Sequence, residues 1–359
     1  SVDPGQTVAC NINNTEYGII SGIKFEDTNS NSSKDISESS IAGWTIHAYK
    51  ADSSEVTAET ETNVGGYSLT NLEAMNDLFN GVYNICEVQK SGWIQTYPTA
   101  QTVGAIGCTG DGEAAIGYQI EVFPTGNIGG KNFGNFKKGS ISGAKFSDRN
   151  GTGEWDKGES GLSGWTINLT DTSDSVLDTS TTNKDGSYSF SGLAYGTYRV
   201  HEVIPGDPTQ WLQTLPQEPK YYELTITSGT DFTDKNFGNK APNISGTKYN
   251  DLNRNGSRDE GEPGLADWTI RLSDGESTRE NVTDESGSYS FFEVPLGTYT
   301  LTEVAQRGWE VVEPASGSWP VIIDEAGEDK IFNFGNFTSG SVSGLKYNDA
   351  NGNGTRDEE

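Results

Sequence analysis

Short runs in which apolar and polar residues alternate recur along the whole chain, separated by turns rich in Gly, Asn and Asp. In GTYTLTEV, which begins at Gly297, the alternation has a period of two. This period is typical of β-strands that bury one face. No segment shows a convincing helical period. The pattern therefore predicts an all-β protein of tandem Ig-like or prealbumin-like β-sandwich modules, arranged end to end.

The alternating runs belong to an internal repeat. An opening strand reads SGIKFEDTN from Ser21, SGAKFSDRN from Ser142, SGTKYNDLN from Ser245 and SGLKYNDAN from Ser343. Each complete repeat then has a W-T-I strand and ends in KNFGN or FNFGN. We predict three β-sandwich repeats (repeat 1, 17–137; repeat 2, 138–240; repeat 3, 241–338), preceded by residues 1–16 and followed by the first strand and loop of repeat 4 (339–359).

Residues 1–16 have two interpretations. VACNINN resembles the closing strand of the complete repeats, so the segment is either the last strand of an upstream repeat or a donor strand that completes a neighbouring subunit. The chain is accordingly either part of a longer array or a self-polymerising subunit.

Composition and charge exclude several classes of protein. The chain has 24 Lys and Arg against 52 Asp and Glu, a net charge of −28. Nucleic-acid partners are not expected, because phosphate contacts need a basic face. No apolar run approaches the length of a membrane span. Aromatic residues make up 10% of the chain, which is too many for full disorder.

An acidic loop with fixed oxygen spacing follows each lysine strand. In repeat 3 it runs from Asp251 to Glu262 as D-x-N-x-N-G-x-x-D-x-x-E, the pattern of calcium-binding loops. Such loops supply oxygens from positions 1, 3, 5, 7, 9 and 12, and glycine at position 6 permits the turn. Ser32 replaces that glycine in repeat 1, which predicts the weakest site there. The alternative is a set of Asx-rich turns without metal. The predicted ligands are Asp27, Asn29, Asn31, Ser33, Asp35 and Glu38; Asp148, Asn150, Thr152, Glu154, Asp156 and Glu159; Asp251, Asn253, Asn255, Ser257, Asp259 and Glu262; and Asp349, Asn351, Asn353, Thr355 and Asp357.

Three polar residue types fall on strand faces that should be apolar. Glu303 shares its face with Leu301, and Lys248 shares its face with Ile244. Because a buried Lys or Glu needs a partner, we expect them to meet. A desolvated lysine is a nucleophile, and a protonated glutamate could assist a single-turnover Lys–Asn isopeptide bond. The alternatives are a hydrogen-bonded trio, or lysines that extend to solvent. The candidate trios are Lys24, Glu87 and Asn135; Lys145, Glu202 and Asn239; and Lys248, Glu303 and Asn336.

The three cysteines allow one disulfide. Cys86 and Cys108 can pair in an oxidising compartment, and a Cys10–Cys108 bond is also open. Trp44 and its counterparts in the other repeats are predicted to fill the cores, whereas Trp93, Trp211 and Trp309 are candidates for module junctions.

These motifs resemble the B-type (prealbumin-like) domains of Gram-positive collagen adhesins, streptococcal pilins and serine-aspartate repeat adhesins. The I-K-F strand and G-x-Y-x-x-x-E strand resemble isopeptide-forming members, and the acidic loop followed by P-G-x-x-x-W resembles calcium-binding members. The resemblance covers the chain from about Gly18 onward. It implies extracellular, cell-surface modules in which the lysines of the trios are nucleophiles, the glutamates proton-shuttling acids and the asparagines acceptors.

We therefore expect a structural stalk or filament of calcium-braced repeats, not an enzyme. Its partners would be neighbouring repeats or copies of itself. The alternative function is an adhesin whose repeats bind host protein or glycan, which predicts a groove or exposed aromatics, above all in the longer repeat 1.

Overall fold

A computed structural model describes residues 16–74, 81–108, 115–206, 208–340 and 342–356. The segment 1–15, part of the predicted closing or donor strand, and the predicted ligand Asp357 lie outside these residues. The chain divides into two compact units. Unit 1 comprises Ser1–Lys145, Leu162–Val203 and Glu218–Asn236, and unit 2 comprises Phe146–Gly161, Ile204–Gln217 and Phe237–Glu359.

Repeat 1 lies entirely in unit 1 and consists of three sheets with strand orders β10-β1-β5, β2-β11-β7 and β4-β3-β6-β9-β8. Its core contains Ile20, Trp44, Ile85 and Phe133, contributed by strands of all three sheets or by the segments beside them. The strands are β1 (Tyr17–Gly22), β2 (Lys24–Glu26), β3 (Thr45–Lys50), β4 (Val56–Glu61), β5 (Tyr67–Glu73), β6 (Val82–Glu87), β7 (Trp93–Tyr97), β8 (Ala105–Gly107), β9 (Ile116–Glu121), β10 (Asn127–Ile128) and β11 (Phe133–Lys137).

The strands of repeat 2 fall in both units. In unit 1, β15 and β19 flank the first part of β12, and a second sheet has the order β14-β13-β16-β18; in unit 2, β17 pairs with β20. A short 3-10 turn spans Pro208–Gln210. The strands are β12 (Gly139–Ser147), β13 (Thr166–Thr170), β14 (Val176–Thr181), β15 (Ser187–Leu193), β16 (Gly196–Val203), β17 (Leu212–Leu215), β18 (Tyr222–Ile226), β19 (Asp231–Phe232) and β20 (Phe237–Lys240).

Repeat 3 lies in unit 2. One sheet has the order β24-β21-β29-β26 with β28 paired to β21, and the other has the order β23-β22-β25-β27. Ile244, Trp268, Leu301 and Phe334 lie in its core. The strands are β21 (Asn243–Asn250), β22 (Thr269–Ser273), β23 (Thr278–Val282), β24 (Ser288–Phe291), β25 (Gly297–Glu303), β26 (Trp309–Glu313), β27 (Ser318–Ile323), β28 (Asp329–Ile331) and β29 (Phe334–Thr338).

These sheets confirm the predicted all-β class of β-sandwich modules. Residues 342–356, predicted to begin repeat 4, contain no assigned strand, and Val342 and Leu345 are exposed. Within the described residues no strand pairs with this segment, so its backbone lacks the partner that a strand requires. No helix among the described residues is long and apolar enough to cross a membrane.

In repeats 1 to 3 the aromatic residue after the lysine is also buried, on the opposite face of the strand. Phe25 packs against Gly134 of the closing strand, where an added Cβ would lie 2.4 Å from the Phe25 ring. Phe146 stacks on Trp155 of the acidic loop, with ring centroids 5.3 Å apart. The glycine of the F-G-N motif is therefore needed because the aromatic ring of the opening strand occupies the space of its side chain.

The structure defines the disulfide and the surroundings of two tryptophans. Cys86 and Cys108 form a disulfide, so Cys86 is the partner of Cys108 and the Cys10–Cys108 alternative is wrong. Trp93 packs edge-on against Trp44 at 5.2 Å, and Trp309 packs against Trp268 at 5.5 Å. These two residues extend the cores of their own repeats.

Candidate functional site

The lysine, glutamate and asparagine of repeat 1 are all buried, with no exposed surface. Lys24 lies on β2 and Asn135 on the parallel neighbour β11, where Phe133 is opposite Lys24 and Asn135 is two residues further along. Their side chains therefore share one face of the sheet. Glu87 comes from β6 in the other sheet, and its Oε2 atom lies 2.8 Å from Lys24 Nζ. The sandwich thus brings an amine and a carboxyl group together beside a carboxamide.

Repeat 3 has the same arrangement. Lys248 Nζ lies 3.0 Å from Oε2 of Glu303 and donates to the carbonyl of Phe334 at 3.2 Å. Asn336 lies on β29, which runs parallel to β21 with Phe334 opposite Lys248. All three polar side chains are buried.

In repeat 2 the lysine and glutamate also meet. Lys145 Nζ lies 3.6 Å from Oε2 of Glu202, and both side chains are buried. Asn239 is buried on β20 in unit 2.

Burial changes the protonation of these groups. Desolvation lowers the pKa of Lys24 to about 8, although the charge of Glu87 opposes the shift. It also lowers the pKa of Lys248 to about 8, against the opposing charge of Glu303. Burial raises the pKa of Glu87, while the charge of Lys24 and a hydrogen bond from Gln89 oppose this shift. Both shifts act toward the uncharged forms of the amine and the carboxyl group, because an apolar setting disfavours an ammonium and a carboxylate.

A tryptophan accompanies each lysine, which the sequence reasoning did not anticipate. The lysine Nζ atoms lie 4.4 Å from the ring centroid of Trp44 in repeat 1 and 4.7 Å from that of Trp268 in repeat 3. In repeat 2 the distance between Lys145 and Trp165 is 4.3 Å. The signal in the sequence is the W-T-I strand that follows each lysine strand. The ring face attracts a cation, so it holds the amine in place and partly offsets its desolvation.

Each acidic loop has its own hydrogen-bond network, and the pattern is the same in the different repeats. In repeat 3, Asp251 accepts from the backbone N–H of Asn255 at 3.2 Å and of Gly256 at 2.8 Å. Glu262 accepts from the backbone N–H of Leu252 at 2.8 Å and of Asp259 at 2.9 Å. The corresponding carboxylates of repeats 1 and 2 accept from equivalent amides: Asp27, Glu38, Asp148 and Glu159. Asp349 repeats the first half of this network with Asn353 and Gly354.

The other predicted loop ligands are also tied into the network. The ninth residue of each complete loop accepts from the carboxamide of the third, as Asp259 does from Asn253 at 2.6 Å. The seventh residue donates its N–H to the side chain of the fifth, as Ser257 does to Asn255 at 2.8 Å. The equivalent pairs are Asp35 with Asn29, Asp156 with Asn150, Ser33 with Asn31, Glu154 with Thr152, and Thr355 with Asn353. Asn351 occupies the third position of the fourth loop.

The loop backbone is left-handed at two positions. Position 6 has φ of +62° at Ser32 and +77° at Gly256, as the calcium-loop pattern requires. Position 4 is also left-handed, with φ of +54° at Ser30 and +60° at Arg254, which the sequence did not indicate. Non-glycine residues are strained in this region.

The donors fit a hard cation in chemical type. The position 1 carboxylates are fully buried in repeats 1 to 3, and the remaining donors are carboxylates, carboxamides and hydroxyls, the oxygens that calcium prefers. Among the described residues, no three or more His, Cys, Asp or Glu side chains gather as a metal centre. The loop carboxylates accept hydrogen bonds from backbone amides. Calcium binding stays a prediction.

The family model for the SdrD B-like domain matches residues 139–239 and 243–328. Serine-aspartate repeat-containing protein D of Staphylococcus aureus (strain Newman) is 29% identical over 296 residues, covering 76% of this chain and 21% of that protein. Serine-aspartate repeat-containing protein F of Staphylococcus epidermidis is 27% identical over 285 residues, covering 76% of this chain and 16% of that protein. This chain thus spans about a fifth of the length of these curated relatives.

Among solved structures, the Bacillus anthracis TIE protein is 16% identical with a TM-score of 0.33, covering 90% of this chain and 51% of that one. Because this score is low, family membership rests on the sequence match.

Proposed function

Since this chain belongs to the family of SdrD B-like domains, we propose that it is a structural stalk or filament of calcium-braced β-sandwich repeats with internal Lys–Asn isopeptide bonds. Its relatives are Gram-positive cell-surface proteins, and the chain is extracellular and located at the cell surface. The observation that carries the proposal is the buried Lys24–Glu87 contact beside Asn135. The proposed modules are residues 17–137, 138–240 and 241–338. Residues 1–16 would be the closing strand of an upstream repeat or a donor strand, and residues 339–359 the start of a fourth repeat with its acidic loop.

The trio in repeat 1 has the groups needed to form an isopeptide bond between Lys24 and Asn135. Neutral Lys24 Nζ attacks Cγ of Asn135, while the protonated carboxyl of Glu87 polarises the carboxamide oxygen. The new C–N bond forms as the Asn135 Nδ2 group leaves as ammonia, which takes a proton from the amine through Glu87. Glu87 ends the reaction with its own proton restored. Each bond forms once, so the chain would not act as an enzyme.

Intact-protein mass tests this step. Each bond should remove the mass of one ammonia. Glu303→Ala should increase the mass by that of one ammonia, because repeat 3 alone loses its proton-shuttling carboxyl group and cannot form its bond. Glu280→Ala, which removes an exposed glutamate of the same repeat, should leave the mass deficit unchanged. A wild-type protein with its full theoretical mass would exclude isopeptide bonds.

Calcium would be held by the loop oxygens. In repeat 3 the donors would be Asp251, Asn253, Asn255, Asp259, Glu262 and the carbonyl of Ser257. A bound cation would supply two positive charges against the acidic loop and so stabilise the folded state by mass action.

Chelation tests this role. EDTA should lower the melting temperature of the wild-type chain, and Glu262→Gln should weaken the response of repeat 3. Glu276→Gln removes an acidic side chain from a turn in the same repeat and should change neither. An identical melting curve with and without EDTA would rule out calcium bracing.

Contacts between consecutive repeats support a stacked array. In unit 1, Ser228 of repeat 2 bonds to Glu26 of repeat 1 at 2.6 Å. In unit 2, Ser147 of repeat 2 donates to Glu293 of repeat 3 at 2.6 Å, and Arg149 packs on Phe292 at 4.6 Å. The proposed partners are neighbouring repeats or copies of the chain, joined through such contacts.

A second candidate function rests on a polar groove in repeat 1, with a volume of about 690 Å³. Ser21, Glu61, Gly66 and Gly130 line it. Repeat 2 has Asp234 where repeat 1 has Gly130, so repeat 1 has no side chain at this point of the groove. Hydroxyl, carboxamide and carboxylate acceptors without a lysine or arginine fit a neutral glycan, whose hydroxyls donate hydrogen bonds.

Glycan-array binding tests this candidate. Ser68→Trp should fill the groove and abolish binding, whereas Thr70→Trp, two residues along the same strand and outside the groove, should not. Failure of the wild type to bind any glycan would reject the candidate and leave the stalk proposal intact.

A further inference from the structure

We propose that Asn255–Gly256 in repeat 3 and Asn150–Gly151 in repeat 2 are self-modification sites, whose deamidation is restrained by the first aspartate of each loop. Both pairs lie in the acidic loops with an exposed asparagine, and both glycines are left-handed, with φ of +77° at Gly256 and +75° at Gly151. An asparagine followed by glycine is the pair least hindered by a side chain on the attacking residue.

The chemistry needs only water. The backbone nitrogen of Gly256 attacks Cγ of Asn255, a C–N bond forms, and the Nδ2 group leaves as ammonia with the proton of the attacking nitrogen. Water then opens the resulting succinimide at either carbonyl. One opening gives aspartate at position 255, and the other gives isoaspartate, in which the main chain passes through the former side chain. Either product adds one negative charge.

The folded loop holds both reacting groups apart. The N–H of Gly256 donates to Oδ2 of Asp251 at 2.8 Å. The Asn255 carboxamide accepts from Ser257 N–H at 2.8 Å and donates to Asp259 at 2.7 Å. A succinimide cannot close until the glycine nitrogen and the carboxamide leave these partners. The restraint therefore includes the hydrogen bond that the Gly256 N–H donates to the Asp251 carboxylate.

Repeat 2 has the same restraint, but at positions 3 and 4 of its loop rather than at positions 5 and 6. The N–H of Gly151 donates to Oδ1 of Asp148 at 2.7 Å, and the carboxamide of Asn150 donates to Asp156 at 2.7 Å. The two repeats therefore provide independent sites in one chain, each with its own guarding aspartate.

Repeat 1 provides the contrast. Its loop has Asn29–Ser30 and Asn31–Ser32, and both serines adopt the left-handed conformation, with φ of +54° and +62°. A serine Cβ hinders approach of its own nitrogen to the preceding carboxamide. Repeat 1 thus accepts backbone strain at the residue after each asparagine and gains resistance to deamidation, whereas Asn150 and Asn255 are followed by an unstrained glycine that leaves them reactive.

The two products differ in consequence. Aspartate is an ordinary ligand at position 5 of a calcium loop. Isoaspartate lengthens the main chain by one methylene between positions 5 and 6, so the turn at Gly256 and its hydrogen bond to Asp251 can no longer form. Isoaspartate formation would therefore modify irreversibly those loops that have opened.

Peptide mass spectrometry with isoaspartate detection after prolonged incubation at mildly alkaline pH tests the proposal on the full chain. We expect deamidation at Asn150 and Asn255 to exceed that at Asn31 several-fold. Asp251→Asn should accelerate the reaction at Asn255 several-fold and leave Asn150 unchanged, and Asp148→Asn should do the reverse. Gly256→Ser, which copies repeat 1, should suppress the reaction at Asn255. Equal rates at Asn255 and Asn31, or no response to Asp251→Asn, would overturn the proposal.

Incubation with EDTA distinguishes the deamidation sites from the proposed calcium binding. Only the calcium dependence of deamidation rests on the proposed function. If calcium braces the loops, EDTA should accelerate both glycine sites in the wild type. If EDTA has no effect while Asp251→Asn still accelerates Asn255, the calcium proposal fails and the deamidation site stands.

Discussion

Ser228 of repeat 2 donates its hydroxyl hydrogen to the carboxylate of Glu26 in repeat 1, with an oxygen–oxygen distance of 2.6 Å. The Ser228 hydroxyl also accepts from the N–H of Lys137 at 2.7 Å, and its own N–H donates to the carbonyl of Thr28. Thr28 in turn donates its N–H to Glu38 at 2.7 Å. One serine of repeat 2 is thus linked to the last acidic residue of the loop in repeat 1.

Ser228→Ala should loosen this junction. It removes two hydrogen bonds of the hydroxyl at a partly exposed site, so we expect a loss of about 1 kcal/mol in the unfolding free energy of unit 1. Residual dipolar couplings should show greater independent motion of repeats 1 and 2. Ser173→Ala, at an exposed turn of repeat 2 where only the backbone is bonded, should change neither quantity. Unchanged couplings in Ser228→Ala would contradict a role for this contact.

Ser32→Gly should strengthen the loop of repeat 1. The left-handed φ of +62° strains serine but not glycine, so relief of about 1 kcal/mol should raise calcium affinity roughly fivefold. Calcium titration calorimetry provides the measurement. Ser37→Gly lies in the same loop at a position without positive φ and should weaken binding, because glycine adds entropy only to the open loop. A decrease in affinity for Ser32→Gly would refute the strain argument.

Trp155 should report cation binding in repeat 2. Its ring stacks on Phe146, and its Nε1–H donates to the carbonyl of Glu159 at 3.2 Å, so it is held against the loop. Terbium in place of calcium should show tryptophan-sensitised emission that falls strongly in Trp155→Phe. Trp319→Phe, in β27 of repeat 3, should retain most of the signal. Equal emission from both variants would place the bound lanthanide elsewhere.

The stability of an unlinked repeat 1 should rise with pH. Asn135→Ala removes the acceptor and leaves Lys24, whose folded pKa is about 8 against 10.5 when exposed. Between these values the unfolded chain binds more protons than the folded chain, so unfolding free energy increases with pH by up to about 3 kcal/mol. Denaturant melts from pH 8 to 10.5 should show the increase. Lys24→Met in the Asn135→Ala background should abolish it, and a flat profile in Asn135→Ala itself would show that Lys24 does not titrate in this window.

The raised pKa of Glu87 acts in the opposite direction at lower pH. The folded chain retains a proton that the unfolded chain has lost, so stability falls as pH rises above the ordinary value of 4.5. The increase expected above pH 8 is therefore specific to the lysine.

The local pattern of apolar and polar residues was enough to predict the positions of the strands and the acidic loops. Alternation with period two located β25 and placed Glu303 on the same face as Leu301, and the structure has both residues facing inward. The oxygen spacing located the acidic loops and their left-handed glycine at position 6. These features depend on residues a few positions apart, and backbone sterics determine them.

Only the tertiary structure decided which inward-facing groups meet. Lys24 contacts Glu87 and lies over Trp44 because strand order and register bring β2, β6 and the start of β3 to one level of the sandwich. Sheet pairing likewise brought Cys86 to Cys108, and a turn of repeat 2 brought Ser228 to Glu26. A period of two tells which face a side chain occupies, but not its partner across the core. That choice depends on contacts between residues distant in sequence, whose geometry is set by the packing of whole sheets.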